Sequence, residues 1–173
     1  PYESEVIFGH TTYNNDTPHK KVLAVAMISS SGNSLQTVIK ETFELNQNDP
    51  WTTTGIHNSF PVNPEDKRSG LEYSSIHQTL LNIREFVNNH GKYTASGELP
   101  LYLVTDCFDL EVAQSFLKEI DFSTLLFSLN IDPFTSRPNL AEKLGFDVNS
   151  YSGKGDVLGY AKMLRHIYKN LTE

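Results

Sequence analysis

Val22-Leu23-Ala24-Val25-Ala26-Met27-Ile28 is the longest apolar run in the chain. Seven residues are too few to cross a bilayer, which takes about 20 in a helix. A near-continuous apolar run of this length suits a strand covered on both faces, and it is placed at Lys21 to Ser29. Such a strand needs layers above and below it, so the rest of the chain is read outward from here.

Upstream, Glu5 to Gly9 carries Val6-Ile7-Phe8 and reads as a strand; the Asn- and Thr-rich stretch from Thr11 to His19 reads as a loop. Downstream, Ser30 to Ser34 is a turn, and Leu35 to Leu45 is predicted to return as a third strand in a hairpin with the second. Residues 46–70, rich in Pro, Asn, Thr and Ser, read as loop. From Leu71 the period changes: Tyr73, Ile76, Leu80, Ile83 and Val87 form one apolar helical stripe, closed by Gly91. Leu99 to Thr105 is predicted as a buried strand, Leu110 to Ile120 as a helix and Leu125 to Leu129 as a short strand. A short helix starts at Pro138 and stops at Gly145, and Asp156 to Leu171 is the closing helix. The predicted order is β-β-β-α-β-α-β-α-α, a single α/β domain over residues 1–173 with a mixed sheet flanked by helices.

Composition narrows the function classes. The chain has 173 residues, 38% of them hydrophobic and 20% charged, which excludes disorder as its ground state. Fourteen Lys and Arg against 21 Asp and Glu give a net charge of −7, which argues against bulk electrostatic attraction to nucleic acid. Cys107 is the single cysteine, so no internal disulfide is expected. With no secretory pattern visible, a reducing, intracellular setting is expected, with no membrane partner. The histidines outside residues 54–58 show no close pair at zinc-ligand spacing.

Four phrases follow one another along the chain: Val6-Ile-Phe-Gly-His-Thr-Thr12, Thr54-Gly-Ile-His-Asn58, Asp106-Cys-Phe-Asp109 and Tyr151-Ser-Gly-Lys-Gly-Asp-Val157. Their order and spacing resemble the DEDD 3′–5′ exonucleases, the DEDDh type in particular, over nearly the whole chain. The resemblance implies a ribonuclease H-like fold: a mixed five-stranded sheet whose first three strands are antiparallel. It also implies metal-assisted phosphodiester hydrolysis, in which two divalent ions about 4 Å apart clamp the attacking water and the leaving oxygen.

Carried over position by position, the family's site is degenerate. Gly9 and Thr11 occupy the places of the first-motif Asp and Glu. Asp109 matches the second-motif Asp, with Asp106 where Asn is usual, and Asp156 matches the third. Tyr151 stands at the general-base histidine; a second branch of the family uses Tyr there, but one residue closer to its Asp. Mg²⁺ or Mn²⁺ needs several carboxylate oxygens, and Asp109 with Asp156 would hold one ion weakly at most. Tyr151, with a solution pKa of about 10, is a poor base at neutral pH. Glu5 lies four residues, roughly 13 Å, before Gly9 along a strand and does not replace the lost acids. Asp109 and Asp156 read at least as well as caps of the helices that follow them.

Other residues have two readings. His57 is a groove residue or, preferably, a turn histidine. Trp51 is a stacking or docking aromatic or a loop anchor. Lys162 and Arg165 lie on one face of the last helix; they could meet a phosphate backbone but read better as a solvated face. Cys107 reads as an inert thiol. The favoured reading is a catalytically inactive exonuclease-like domain, a pseudo-exonuclease with no cofactor, used to bind a protein in preference to single-stranded DNA or RNA. The alternatives are a divergent exonuclease needing Mg²⁺ or Mn²⁺, and an unrelated α/β structural or assembly protein.

Overall fold

The computed structural model of the chain describes residues 6–13, 21–46, 72–89, 92–94, 97–99, 102–110, 118–151 and 156–172. The elements are β1 (Val6–Tyr13), β2 (Val22–Ser29), β3 (Ser34–Ile39), α1 (Lys40–Asn46), β4 (Glu72–Ser74), α2 (Ile76–Asn89), β5 (Lys92–Thr94), β6 (Gly97–Leu99), β7 (Tyr102–Thr105), β8 (Lys118–Asp121), α3 (Phe122–Ser128), α4 (Arg137–Lys143) and α5 (Val157–Thr172). A 3₁₀ turn, Val148–Ser150, lies between α4 and α5.

The main sheet runs β4-β3-β2-β1-β7-β8. The first three strands are antiparallel, with Phe8 opposite Ile28 and Ala24 opposite Val38. β7 joins β1 in parallel, with Ile7 beside Leu103, and β8 joins β7 in parallel. This is the expected ribonuclease H-like sheet of five strands. A three-residue strand, β4, extends it at the β3 edge in parallel. β5 and β6 form a separate small hairpin.

The central run is buried as its apolarity demands: Leu23 to Ser29 are all below 4% exposed. Strand alternation sorts two cores. Ile7, Val25, Met27 and Leu103 face α2, where Ile83 and Val87 meet them. Phe8, Ile28 and Val104 face the other way, onto Phe122 and Leu126 of α3, Leu140 of α4 and Met163, Leu164 and Ile167 of α5.

Three expectations are corrected. Strand β3 ends at Ile39, and residues from Lys40 onward form α1, whose Phe43 turns back onto Ala24 and Val38. The strand expected at Leu125 to Leu129 is helix α3, and the strand lies just upstream, at Lys118–Asp121. Asp121 explains the difference: its carboxylate accepts from Thr124 N at 3.2 Å and caps a helix over the apolar run that follows. Tyr73 belongs to β4, and α2 starts after Ser75, whose hydroxyl accepts from Gln78 N. The expected helix over Leu110 to Ile120 falls mostly on residues outside those described.

Candidate functional site

The parallel strands β1 and β7 end side by side, and the residues leaving them divide between the two faces of the sheet. Gly9 and Thr11 follow Ile7 on the α2 face, while His10 and Thr12 follow Phe8 on the α5 face. A Cβ at Gly9 would come within 2.8 Å of both Leu103 Cδ1 and Phe108 Cδ2, so the backbone there is closed over by core side chains. Thr11 is buried and fastens the segment after β7: its N–H donates to Cys107 O at 2.9 Å, and its Oγ1 accepts from Asp109 N at 3.3 Å. Positions 9 and 11 are occupied by packing and stapling.

The residues that meet at the strand ends on the α5 face are His10, Asp106, Arg137 and Tyr160. Asp106 Oδ2 accepts from Tyr160 Oη at 2.6 Å and from Arg137 Nε at 2.9 Å, and its Oδ1 accepts from Arg137 Nη2 at 2.9 Å. Both oxygens are therefore spent in a two-pronged pair with a guanidinium. Arg137 also donates to Ser123 Oγ and to the carbonyls of Pro133 and Thr135, and lies 5.2 Å over the Phe122 ring. The His10 ring stacks on Tyr160 at 4.0 Å. His10 Nδ1 and Thr12 Oγ1 are buried with no hydrogen-bond partner.

Burial dominates the electrostatics here. It pushes the His10 imidazole down to about 4, against a smaller upward pull from Asp106, so His10 is neutral at physiological pH. Burial, the hydrogen bond to Asp106 and the Asp106 charge hold the Tyr160 hydroxyl far above its usual range. The hydrogen bond to Asp106 raises Arg137 further.

The other sequence-predicted residues are dispersed. Asp156 caps α5, accepting from Gly159 N at 2.9 Å, and a Cβ at Gly159 would run into its carboxylate. Tyr151 sits edge-on to Tyr160, with ring centroids 6.2 Å apart; burial and the Asp156 charge raise its hydroxyl above the ordinary value, away from what a base requires. Asp109 is exposed on the far side of β1, beside Thr11 and Cys107. It borders a groove of about 500 Å³ shared with Tyr13, Lys21, Glu41 and Ile76. Arg165 holds the β2–β3 turn, donating to Ser30 O at 2.9 Å, while Lys162 is exposed on α5. Trp51 and His57 lie outside the described residues.

Among the described residues no three His, Cys, Asp or Glu side chains converge as metal ligands would. Asp106 is closed off by Arg137 and Tyr160, Asp109 lies beside Thr11 and Cys107, and Asp156 caps α5. This donor set does not fit a two-ion centre. Arg137, His10 and Tyr160 were not singled out from the sequence. The signals for them were slight: an Asp at a strand end, an Arg just before Pro138, and a Tyr four residues after Asp156.

No family model matches the chain, and no curated protein matches it. A solved structure does: a 3′-exonuclease described by its 3′-end-specific recognition of the histone mRNA stem-loop. It is 15% identical, with a TM-score of 0.62 over 97% of this chain and 81% of that one. At that identity the likeness is one of fold. Among the described residues, no helix is long and apolar enough to cross a membrane.

Proposed function

We propose that the chain is a degenerate DEDD-type exonuclease domain that has lost phosphodiester hydrolysis and serves as a binding module, with a protein as its partner. One observation carries the reading. At the end of β7, beside β1, the largely covered carboxylate of Asp106 is neutralised by Arg137 and held by Tyr160. A metal-dependent nuclease needs free carboxylate oxygens converging on its ions. Here an internal cation occupies the acid, the neighbouring β1 side chains are a neutral His10 and Thr12, and Tyr151 is shifted away from basicity.

The test is digestion of 3′-labelled single-stranded DNA and RNA with Mg²⁺ or Mn²⁺, beside an Asp109→Asn/Asp156→Asn double variant. The expected result is no digestion by either protein. Digestion by the parent that disappears in the double variant overturns the reading and restores a divergent exonuclease.

A second reading, RNA binding without cleavage, draws on the neighbour's stem-loop recognition. The net charge of −7 and the engagement of Arg165 by Ser30 O count against it. A gel-shift titration with a short stem-loop RNA separates the two; a complex that survives moderate salt favours RNA.

A further inference from the structure

The guanidinium that fills the strand-end site has a second function on its other edge. Arg137 Nη1 donates to Pro133 O and Thr135 O, both at 2.9 Å, and so fixes the loop between α3 and α4 from within. Every turn of that loop is hydrogen-bonded. α3 ends with Asn130 at φ 61° and with Ile131 N donating to Leu126 O and Asn130 N to Phe127 O, the paired bonds of a Schellman closure. Asp132 Oδ1 then accepts from Phe134 N at 2.9 Å, and Ser136 caps α4. On this rigid frame Phe134 stands 92% exposed, and Phe127 and Leu129 are exposed at the end of α3, by 72% and 37%.

Solvent-facing aromatics on a loop with few alternative conformations lose little further entropy on being covered, which makes them suitable anchors for a partner. The charge around them selects its chemistry. Between positions 121 and 143 the exposed charges are Asp121, Asp132 and Glu142 against Lys143, since Arg137 is committed to Asp106. A phosphate backbone or an anionic lipid surface would be repelled; a cationic, apolar peptide is matched in both respects.

The geometry points to the α3–α4 loop, with Phe127, Leu129 and Phe134, as the docking surface for a basic, apolar segment of a partner protein, held in shape by the same Arg137 that occupies the strand-end site. This rests on the reading of the chain as a binding module. The surface is tested by titrating the protein with a library of short fluorescent peptides that alternate Leu or Phe with Lys or Arg, beside counterparts carrying Glu. Cationic members are expected to bind and acidic ones not. Phe134→Ala, which removes an exposed ring and leaves the fold intact, should weaken binding about tenfold, and high salt should weaken it further. Arg137→Lys keeps a positive charge for Asp106 but loses the fork to the loop carbonyls, and should weaken binding with Phe134 still present.

Absence of binding by any cationic peptide, or binding indifferent to Phe134→Ala, overturns the proposal. So does Phe134-dependent binding of stem-loop RNA or of phosphatidylserine vesicles in parallel titrations. Self-association in sedimentation that Phe134→Ala abolishes also overturns it, in favour of a second copy as occupant. Nuclease digestion with peptide binding intact would count against the inactive-domain reading alone.

Discussion

Asp106 and Asp109 stand on the same short segment leaving β7, yet the fold treats them oppositely. Asp106 turns to the α5 face, is nearly buried, and gives both oxygens to Arg137 and Tyr160. Asp109 turns to the other face and stays in solvent beside Cys107 and Thr11. A carboxylate taken out of water needs a cation, and with no converging acids among the described residues the cation that fits is one the chain supplies itself. An exposed carboxylate needs none. The two residues therefore differ in what their loss should cost, and the resemblance to a nuclease motif predicts neither cost.

The largest expected effect is that of Arg137→Ala. It leaves Asp106 buried without its countercharge and releases the Pro133 and Thr135 carbonyls, which should cost about 3–5 kcal/mol in urea unfolding. Replacing both partners, as Asp106→Leu with Arg137→Met, should cost clearly less than the sum of the single changes. A strictly additive double variant would mean that the pair carries no coupling and that the contrast with Asp109 is false.

Next comes acid sensitivity. His10 is held at about 4 when folded, against an unfolded value of about 6.5. Between those two pH values the unfolded chain binds the extra proton, so stability is full above pH 6.5 and falls as pH drops toward 4, by up to about 3 kcal/mol. His10→Phe keeps a ring against Tyr160 and removes the unpartnered Nδ1. It should flatten this part of the pH profile, and an unchanged slope would place the titration elsewhere.

Gly9→Ala should cost about 1–3 kcal/mol, because the new methyl meets Leu103 and Phe108 at 2.8 Å. Gly9→Asp should cost more and restore no metal-dependent cleavage, since position 9 faces away from Asp156. Cleavage gained on that substitution would show the face assignment of β1 to be wrong.

The sheet was legible where the pattern was long. Val22 to Ile28 gave the central strand, the Val157–Leu164 stripe gave α5, and Gly145 marked the end of α4, where it sits at φ 90°. Short apolar runs were not legible, because Leu125-Leu126-Phe127 fits a strand or a helix equally well and the arbiter was the cap at Asp121. The site was least legible. Along a strand, a slip of one residue exchanges the two faces, and no spacing in the sequence tells that Gly9 and Thr11 face α2 while His10 and Thr12 face the side of Asp106 and Tyr160. Asp106 and Arg137, 31 residues apart in sequence, are joined by no spacing rule; only the closing of α4 over the end of β7 brings them together.

The smallest effect sharpens the comparison most. Asp109→Asn should change stability by less than about 0.5 kcal/mol, as expected for an exposed group outside any buried network. Its consequence should appear on a neighbour instead. Glu119 is held above the ordinary carboxylate range by burial first, then by the charges of Asp109 and Asp121. Removing one of those charges should let the Glu119 titration move back toward normal, measurable by NMR on the side-chain carbons across an acid titration. The burial contribution should keep it from returning fully. A Glu119 that does not move would mean that Asp109 is already neutralised by a cation, which would make it a second Asp106 and would erase the distinction between the two faces.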